Sequence, residues 1–563
     1  MIATQPAPPD LFARLTATRR PLLLILLVWA LFAAPGLFAI PPSDRDESRF
    51  AQATKQMLET GDFIEIRFGD VARNKKPVGI HWAQAATVSA AEALGLAERT
   101  DIWPYRVPSA LGGLVAALAT FWLGRALVGR EAALIAAVLL PATLVVTVEM
   151  HIAKTDAALL GSIAVMMGLF GRAVVAPERF GSGAAAGFWL ALGVGTLLKG
   201  PVAPMVAGLA ALALWAGDRL ARRPSPWLGA LRPAWGLPLA AAVVLPWGVA
   251  IWLATDGAFF LEAIRGDLGQ KVVGADEQHG GPPGYHLLLA AVTLFPASLA
   301  VLRAIPAVWA GRGEPAIRVL LAWILPTWLV FELLPTKLPH YVSVTFPAVL
   351  LVAARWLLDA SAKPPPRWLA RVSLGLWLLV PLGLAALAVA LPVVAGGTPW
   401  GLPLALAAAG WILWQGVRAP DTRRAVAAGL VGSVVLYGAI LQGVIPQARG
   451  IWLSPRIAEA ASAYWSATGG RPPAAERPFA AVGFHEPSLV FLVGTDVRLL
   501  RGGEEAARHL AERPRGLALV RDRNEPAFRA EADRLGLAVR EVARIDGFNL
   551  SRGQFVSLGL YAR

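Results

Sequence analysis

Two uninterrupted apolar blocks, PLLLILLVWALFAAPGLFAI (Pro21–Ile40) and LGLWLLVPLGLAALAVALPVVA (Leu374–Ala395), constrain this chain more than any other feature. An apolar run of about 20 residues crosses a bilayer as a helix, because only a helix or a closed barrel satisfies its own backbone where there is no water. Such blocks recur along most of the chain, so 56% of it is hydrophobic and only 16% charged. Soluble domains have roughly 45–50% and about 25%. The chain therefore reads as a polytopic α-helical membrane protein. Pro21–Ile40 reads as a span and not a signal peptide, being long and lacking a small-residue cleavage motif before Asp44.

Thirteen spans are expected, at about 21–40, 105–124, 132–149, 156–175, 183–198, 200–217, 235–254, 285–304, 317–334, 341–358, 372–395, 401–416 and 425–444. With the N-terminus inside, the inner segments carry 21 Lys and Arg, against five in the outer connections after the first loop. That bias is the one cytoplasmic loops show. It also accounts for much of the net charge of +14 without invoking nucleic acid. There are no cysteines, so no disulfide and no thiolate–metal site exists.

Two segments are too polar to span. The first outer loop, about 41–104, holds SDRDESRFAQATKQML (Ser43–Leu58), where Phe50, Ala53, Met57 and Leu58 recur near helical spacing. Ser43, with Asp46 three residues on, has the form of a capping box. The expectation is an amphipathic helix lying at the outer interface. Residues 447–563 form the second polar segment. RPFAAVGFHEPSLVFLVG and GLALVRDRN read as strands, EEAARHLAER and EPAFRAEADRLG as helices, and GFNLSRGQFVSLGLY as turn and strand. The division is thus a membrane domain, 1–446, and an outer α/β domain, 447–563.

Ionisable residues in or beside the spans gather near their outer ends: Glu149, Lys154, Asp156, Lys199, Glu332 and His340 among them. Charge at membrane depth is costly and usually functional. A transporter is expected to place such groups near the midplane; one-sided placement favours chemistry at the outer face. Acids there can serve as bases or stabilise charge at a sugar carbon, and Lys, Arg and Tyr can hold a leaving phosphate. No phosphate-binding nucleotide loop occurs. A donor activated as a lipid phosphate-sugar fits these constraints.

At this point the motifs resemble a known family. DRDESRFAQATKQMLETGDF (Asp44–Phe63), NKKPVGIHW (Asn74–Trp82), AKTDAALL (Ala153–Leu160), KVVGADEQHGGPPGYH (Lys271–His286) and TKLPHYVSVTFPA (Thr336–Ala348) are similar, in order, to segments of the lipid A aminoarabinose transferases and of the wider class of protein O-mannosyltransferase-like GT-C glycosyltransferases. The resemblance implies a GT-C fold and a multi-pass protein of the bacterial inner membrane. It implies an active site and C-terminal domain facing the periplasm, a polyprenyl-phosphate-linked sugar donor, and lipid A or another envelope glycan or lipid as acceptor. It implies Asp46 as principal catalytic carboxylate and Asp156 as second acid, with Lys76, Lys271 and Tyr341 binding the lipid phosphate. Glu47, Arg49, His81, Trp82, Lys337 and His340 are candidate sugar or acceptor contacts. Family members carry Arg at the position of Lys271, and a Glu linked to a metal at the position of Lys75. A divalent metal is accordingly doubtful as a cofactor, and no metal site is assigned.

Each residue also has a plainer reading. Asp46 and Glu47 suit the start of a helix, Lys75 and Lys76 can anchor anionic headgroups, Asp156 can cap a helix, and His340-Tyr341 can form an interfacial aromatic pair. The histidines His81, His151 and His279 lack zinc-like spacing. Two other function classes stay open: a lipid-linked sugar flippase and an envelope scaffold. Within the same class, a protein O-glycosyltransferase is the alternative.

Overall fold

The computed structural model describes residues 10–263, 265 and 280–563. Each expected span coincides with helix, from Pro21–Ala33 to Thr422–Gly443. Among the described residues, seven helices are long and apolar enough to cross a membrane alone, and an eighth crossing arises if the bent pair Arg130–Ala142 and Leu144–Met150 is one span. Thirteen crossings thus remain a reading of the sequence. Several segments fall short by length, such as the 13-residue Pro21–Ala33 helix, or by a break, as between Tyr285–Thr293 and Ser298–Ala310. The bent pair turns by 60° just after Pro141, whose missing N–H interrupts the helix ladder.

Helices Trp103–Val128 and Asp156–Val175 make the closest approach that matters for the site. A Cβ on Gly112 would lie 2.4 Å from the Ala157 carbonyl oxygen, and one on Gly161 would lie 2.7 Å from the Gly112 carbonyl oxygen. Small residues let backbones touch where lipid supplies no hydrophobic drive. This contact fixes the start of the Asp156 helix.

The polar first segment forms the expected helix, but it leaves no broad apolar face free for a membrane surface. Its helix runs Asp46–Thr60 with ten buried residues, wedged between the Gly79–Ala93 helix and the C-terminal Pro487–Val493 helix. Lys55 Nζ donates to the Phe491 carbonyl at 2.7 Å, and Gln52 donates to Thr495 Oγ1 at 2.7 Å. The apolar spacing that suggested a membrane surface is satisfied by protein on both sides. Ser43 is not its cap either. The helix starts behind Arg45, and the Ser43 N–H and hydroxyl both donate to Glu47 at 2.8 Å.

A two-stranded hairpin, β1 (Arg67–Phe68) and β2 (Val71–Ala72), follows that helix. The C-terminal sheet has order β4-β3-β5-β7-β6, with β3 (Phe479–Val482), β4 (Arg498–Leu500) and β5 (Leu517–Arg521) parallel, and β6 (Arg540–Asn549) and β7 (Gln554–Ala562) antiparallel. Alternation builds the layers. Phe479, Ala481, Leu517 and Leu519 pack with Leu453, Ile457 and Leu489, whereas Ala480, Val482, Ala518 and Val520 pack with Ala507, Leu510 and Phe528. Strands buried on both faces read as unbroken apolar runs. The stretch PSLVFLV, expected as strand, is the Pro487–Val493 helix. Strand β3 stops at Gly483, whose φ of +77° favours glycine, and Pro487 suits the first turn of a helix.

Candidate active site

One cavity of 2550 Å³ lies where the first loop, the ends of several membrane helices and the C-terminal domain meet. Asp46, Arg49, Lys76, Asp156, His340 and Tyr341 line it, so the structure gathers most of the expected site residues from four separate stretches. Lys75 lines it as well. Lys271 lies outside the described residues, as does His279.

Four expected contacts sit elsewhere. Glu47 is buried and clamped by the Arg106 guanidinium, at 2.8 and 3.0 Å, and accepts from the Ala153 N–H at 3.0 Å. Burial opposes its charge, but Arg106 holds its carboxyl below the usual range. His81 is buried, 2.8 Å from Thr54 Oγ1 and stacked on Phe50; burial pushes its imidazole down to about 3. Trp82 donates to the Phe63 carbonyl at 2.9 Å. Lys337 is buried against Glu332 at 3.3 Å and the Gly281 and Pro282 carbonyls. None of the four lines the cavity. Adjacent helical positions point about 100° apart, so Asp46 faces the cavity and Glu47 faces the bundle.

Glu47 instead supports the site. Together with Ser109, whose hydroxyl donates to the Ile152 and Lys154 carbonyls at 2.7 and 3.0 Å, it holds the bend that carries Lys154 to Asp156. Beyond that bend is a buried charge network. Lys154 Nζ lies 3.0 Å from Glu149 and 3.5 Å from Asp156, Lys199 pairs with Asp156, and His340 lies 3.5 Å from Glu149 and 3.6 Å from Asp156. Burial leaves the His340 imidazole neutral, with its value pushed down to about 3 against the pull of Asp156. Burial also works against the Lys154 charge, but Asp156 and Glu149 outweigh it and raise its value above that of an ordinary lysine. Lys199 further lies 5.3 Å from the Tyr341 ring centre. Lys154 and Lys199, absent from the expected site, are central to it. Their signal in the sequence was depth in the membrane.

Phe50 organises the opposite side. Arg73 lies 4.5 Å and Lys76 5.3 Å from its ring centre, so the basic stretch RNKK is laid over one aromatic face. Asp46 feels these charges. Burial disfavours its ionisation, but Lys76, Arg73, Lys154 and Arg49 together hold its carboxyl below the usual range. Among the described residues, no three His, Cys, Asp or Glu side chains gather as a metal ion would require. Lysine and arginine supply the positive charge in the cavity.

The remaining wall is apolar. Leu245, Val249 and Trp252 of the Pro233–Ala254 helix line the cavity and are more than half exposed. A cavity apolar along one membrane helix and cationic at its head is amphipathic in the manner of a lipid phosphate.

Helical bundle, α/β domain and the cavity between them define a polytopic membrane protein of GT-C glycosyltransferase fold. A family profile described as dolichyl-phosphate-mannose-protein mannosyltransferase matches residues 75–247. The chain is 29% identical over 444 residues to an undecaprenyl phosphate-alpha-4-amino-4-deoxy-L-arabinose arabinosyl transferase of Pseudomonas paraeruginosa, covering 74% of this chain and 76% of that one. It is 28% identical over 349 residues to the Pectobacterium carotovorum enzyme of the same name, covering 59% of this chain and spanning 58% of the relative's length. Its structure matches ArnT from Cupriavidus metallidurans bound to undecaprenyl phosphate, with a TM-score of 0.69 at 20% identity over 96% of this chain and 98% of that one. At that identity the likeness establishes a shared fold. The resemblance read from the five motifs is borne out.

Proposed function

We propose that the protein transfers a sugar of the aminoarabinose class from a polyprenyl-phosphate donor to lipid A or another envelope acceptor, at the periplasmic face of the inner membrane. The observation that carries this is the amphipathic cavity, with the exposed face of the Pro233–Ala254 helix on one wall and Lys76, Lys154, Lys199 and Asp46 at its head. The names of the relatives support the donor class, and the cation bias of the opposite loops supports the orientation.

In the reaction the bond from the anomeric carbon to the phosphate oxygen breaks, and its electron pair stays on the phosphate. An acceptor oxygen forms the new bond from the opposite face, inverting the centre. The donor phosphodiester, with one charge, leaves as a monoester with up to two. Lys76 and Tyr341 compensate that charge, joined by Lys154 and Lys199, which Asp156 orients. Lys271 is assigned to the same phosphate by resemblance. Asp46, held ionised, is a poor proton acceptor at neutral pH. It positions the acceptor and stabilises positive charge developing at the sugar. An acceptor phosphate needs no deprotonation; the proton of a hydroxyl acceptor passes to the departing phosphate, which gains the second charge on leaving.

The test is transfer of labelled sugar from its polyprenyl-phosphate carrier to lipid A by the purified protein, wild type against Asp46→Asn. Mass spectrometry identifies the product. Absence of transfer by the wild type across lipid, glycan and protein acceptors would falsify the proposal; equal transfer by Asp46→Asn would remove Asp46 from it. Labelling of a protein acceptor alone would favour the O-glycosyltransferase reading, to which the mannosyltransferase profile over 75–247 lends support.

A further inference from the structure

The cavity holds more positive charge than one donor phosphate needs. Eleven of its described lining residues are Lys or Arg and four are Asp or Glu. Lys76, Lys154 and Lys199 line it together with the apolar face of the Pro233–Ala254 helix, where a lipid tail would lie. The C-terminal domain contributes Arg477, Arg498, Arg523 and Arg552 against one acid, Glu486. Glu486 is occupied within the domain, accepting from Asn549 at 2.9 Å and from Ser551 at 2.5 Å, with Arg552 no nearer than 4.0 Å. Arg477 is bound to Asp70 of the first loop at 2.8 Å and closes the rim.

The remaining three arginines follow from the sheet. Strands β3 and β5 are parallel, and the residues after their carboxyl ends, His485–Pro487 and Arg523, open on the cavity. Edge strand β4 runs beside it, presenting Arg498, Leu499 and Leu500; the Arg498 guanidinium also lies 3.8 Å from Glu512 and 3.4 Å from His509 of the Gly503–Glu512 helix, an exposed contact that a phosphate would compete with. Arg552 enters from the turn between β6 and β7, with 66% of its side chain exposed. The crevice outside the carboxyl ends of parallel strands is where α/β sheets bind ligands. Guanidinium forks suit phosphate oxygens.

We propose that the C-terminal domain is the acceptor side of the cavity, with Arg498, Arg523 and Arg552 binding a phosphate carried on a glycolipid acceptor. The assignment rests on the transferase reading and adds what recognises the second substrate. The donor phosphate takes the cations at the membrane end, and the acceptor's anionic headgroup is held by the sheet above it. Asp46 sits between them.

The experiment uses the full chain in nanodiscs. Wild type, the triple variant Arg498→Ala/Arg523→Ala/Arg552→Ala and the single Arg552→Glu are assayed against bis-phosphorylated lipid A. The acceptor KM is expected to rise about 10-fold or more in the triple variant, while donor KM and the thermal shift given by undecaprenyl phosphate stay at wild-type values. Equilibrium binding of enzymatically dephosphorylated lipid A should show no difference between the proteins. An acceptor KM within about twofold of wild type in both variants, or an equal loss of donor binding, overturns the assignment. If the wild type transfers no sugar at all, the transferase reading fails by itself. Equilibrium binding of phosphorylated against dephosphorylated lipid A to wild type and triple variant then judges the arginines directly, and equal binding overturns them.

Discussion

Asp46 and Glu47 are neighbours with opposite duties. Asp46 faces the cavity under the field of Lys76, Arg73, Lys154 and Arg49. Its ordinary value is 3.8 and the folded value lies below that, so it stays ionised at any pH above about 4. The rate of transfer should therefore show no acid limb from Asp46 between pH 8 and about pH 5; a limb in that range that disappears in Asp46→Asn would contradict the assignment. Asp46→Asn should lower kcat at least about 100-fold with an unchanged unfolding temperature. Glu47→Gln should do the reverse, because it strands the Arg106 guanidinium inside the bundle. Removing one partner of a buried pair costs roughly 3–5 kcal/mol. A large drop in folded yield or unfolding temperature is the expected measurement, and a stable but inactive Glu47→Gln would show that Glu47 acts at the substrate after all.

At the scale of elements, the Asp46–Thr60 helix is the keystone between bundle and C-terminal domain. Next to it, Asp44 accepts from the Ser488 hydroxyl across that interface. Burial pushes the Asp44 carboxyl up to about 6, the Ser488 hydrogen bond offsetting part of this and Glu486 adding to it. A raised carboxyl binds its proton more tightly in the folded state. Its contribution is complete below the unfolded value of 3.8 and is lost as pH rises through about 6. Docking of the domain should therefore loosen between pH 4 and pH 6. Hydrogen exchange in the Pro487–Val493 helix should quicken over that range in the wild type and lose that dependence in Asp44→Asn. A second prediction concerns the Gly112 contact. Gly112→Val would drive a branched side chain into the Ala157 backbone, separate the two helices and lower the unfolding temperature, and it should reduce activity through displacement of Asp156.

The whole molecule is two bodies closed over one charged space. Under the proposed function a lipid phosphate at Lys76 would lie against the bundle, with the sheet closing the cavity above it. Ligand that binds only the folded form stabilises by mass action, about 2.7 kcal/mol at 100-fold over Kd. Undecaprenyl phosphate should accordingly raise the unfolding temperature of the full chain in a concentration-dependent way, and Lys76→Ala should weaken that shift. An identical shift in both would place the phosphate elsewhere in the cavity.

Much of this was legible in the chain. Apolar runs determined where helices form, because bilayer thickness and an unsatisfied backbone leave few alternatives. The resemblance of the motifs implied Asp46, Asp156, Lys76 and Tyr341, and all four line the cavity. Other features are decided by distance in space. Which face of the Asp46–Thr60 helix meets the cavity, and so the separation of Asp46 from Glu47, depends on Arg106, 59 residues away in sequence. His81, Trp82 and Lys337 adjoin motif residues but do not line the cavity, and His81 Nδ1, the Trp82 indole N–H and Lys337 Nζ meet Thr54, Phe63, and Glu332 with the Gly281 and Pro282 carbonyls. Lys154 and Lys199 became partners of one carboxylate only when three helix ends converged. Arg498, Arg523 and Arg552 came to the cavity only through strand order, which periodicity does not encode. Local chemistry determines elements and residue types; the convergence of charges, whose energy depends on separation and burial, belongs to the tertiary structure alone.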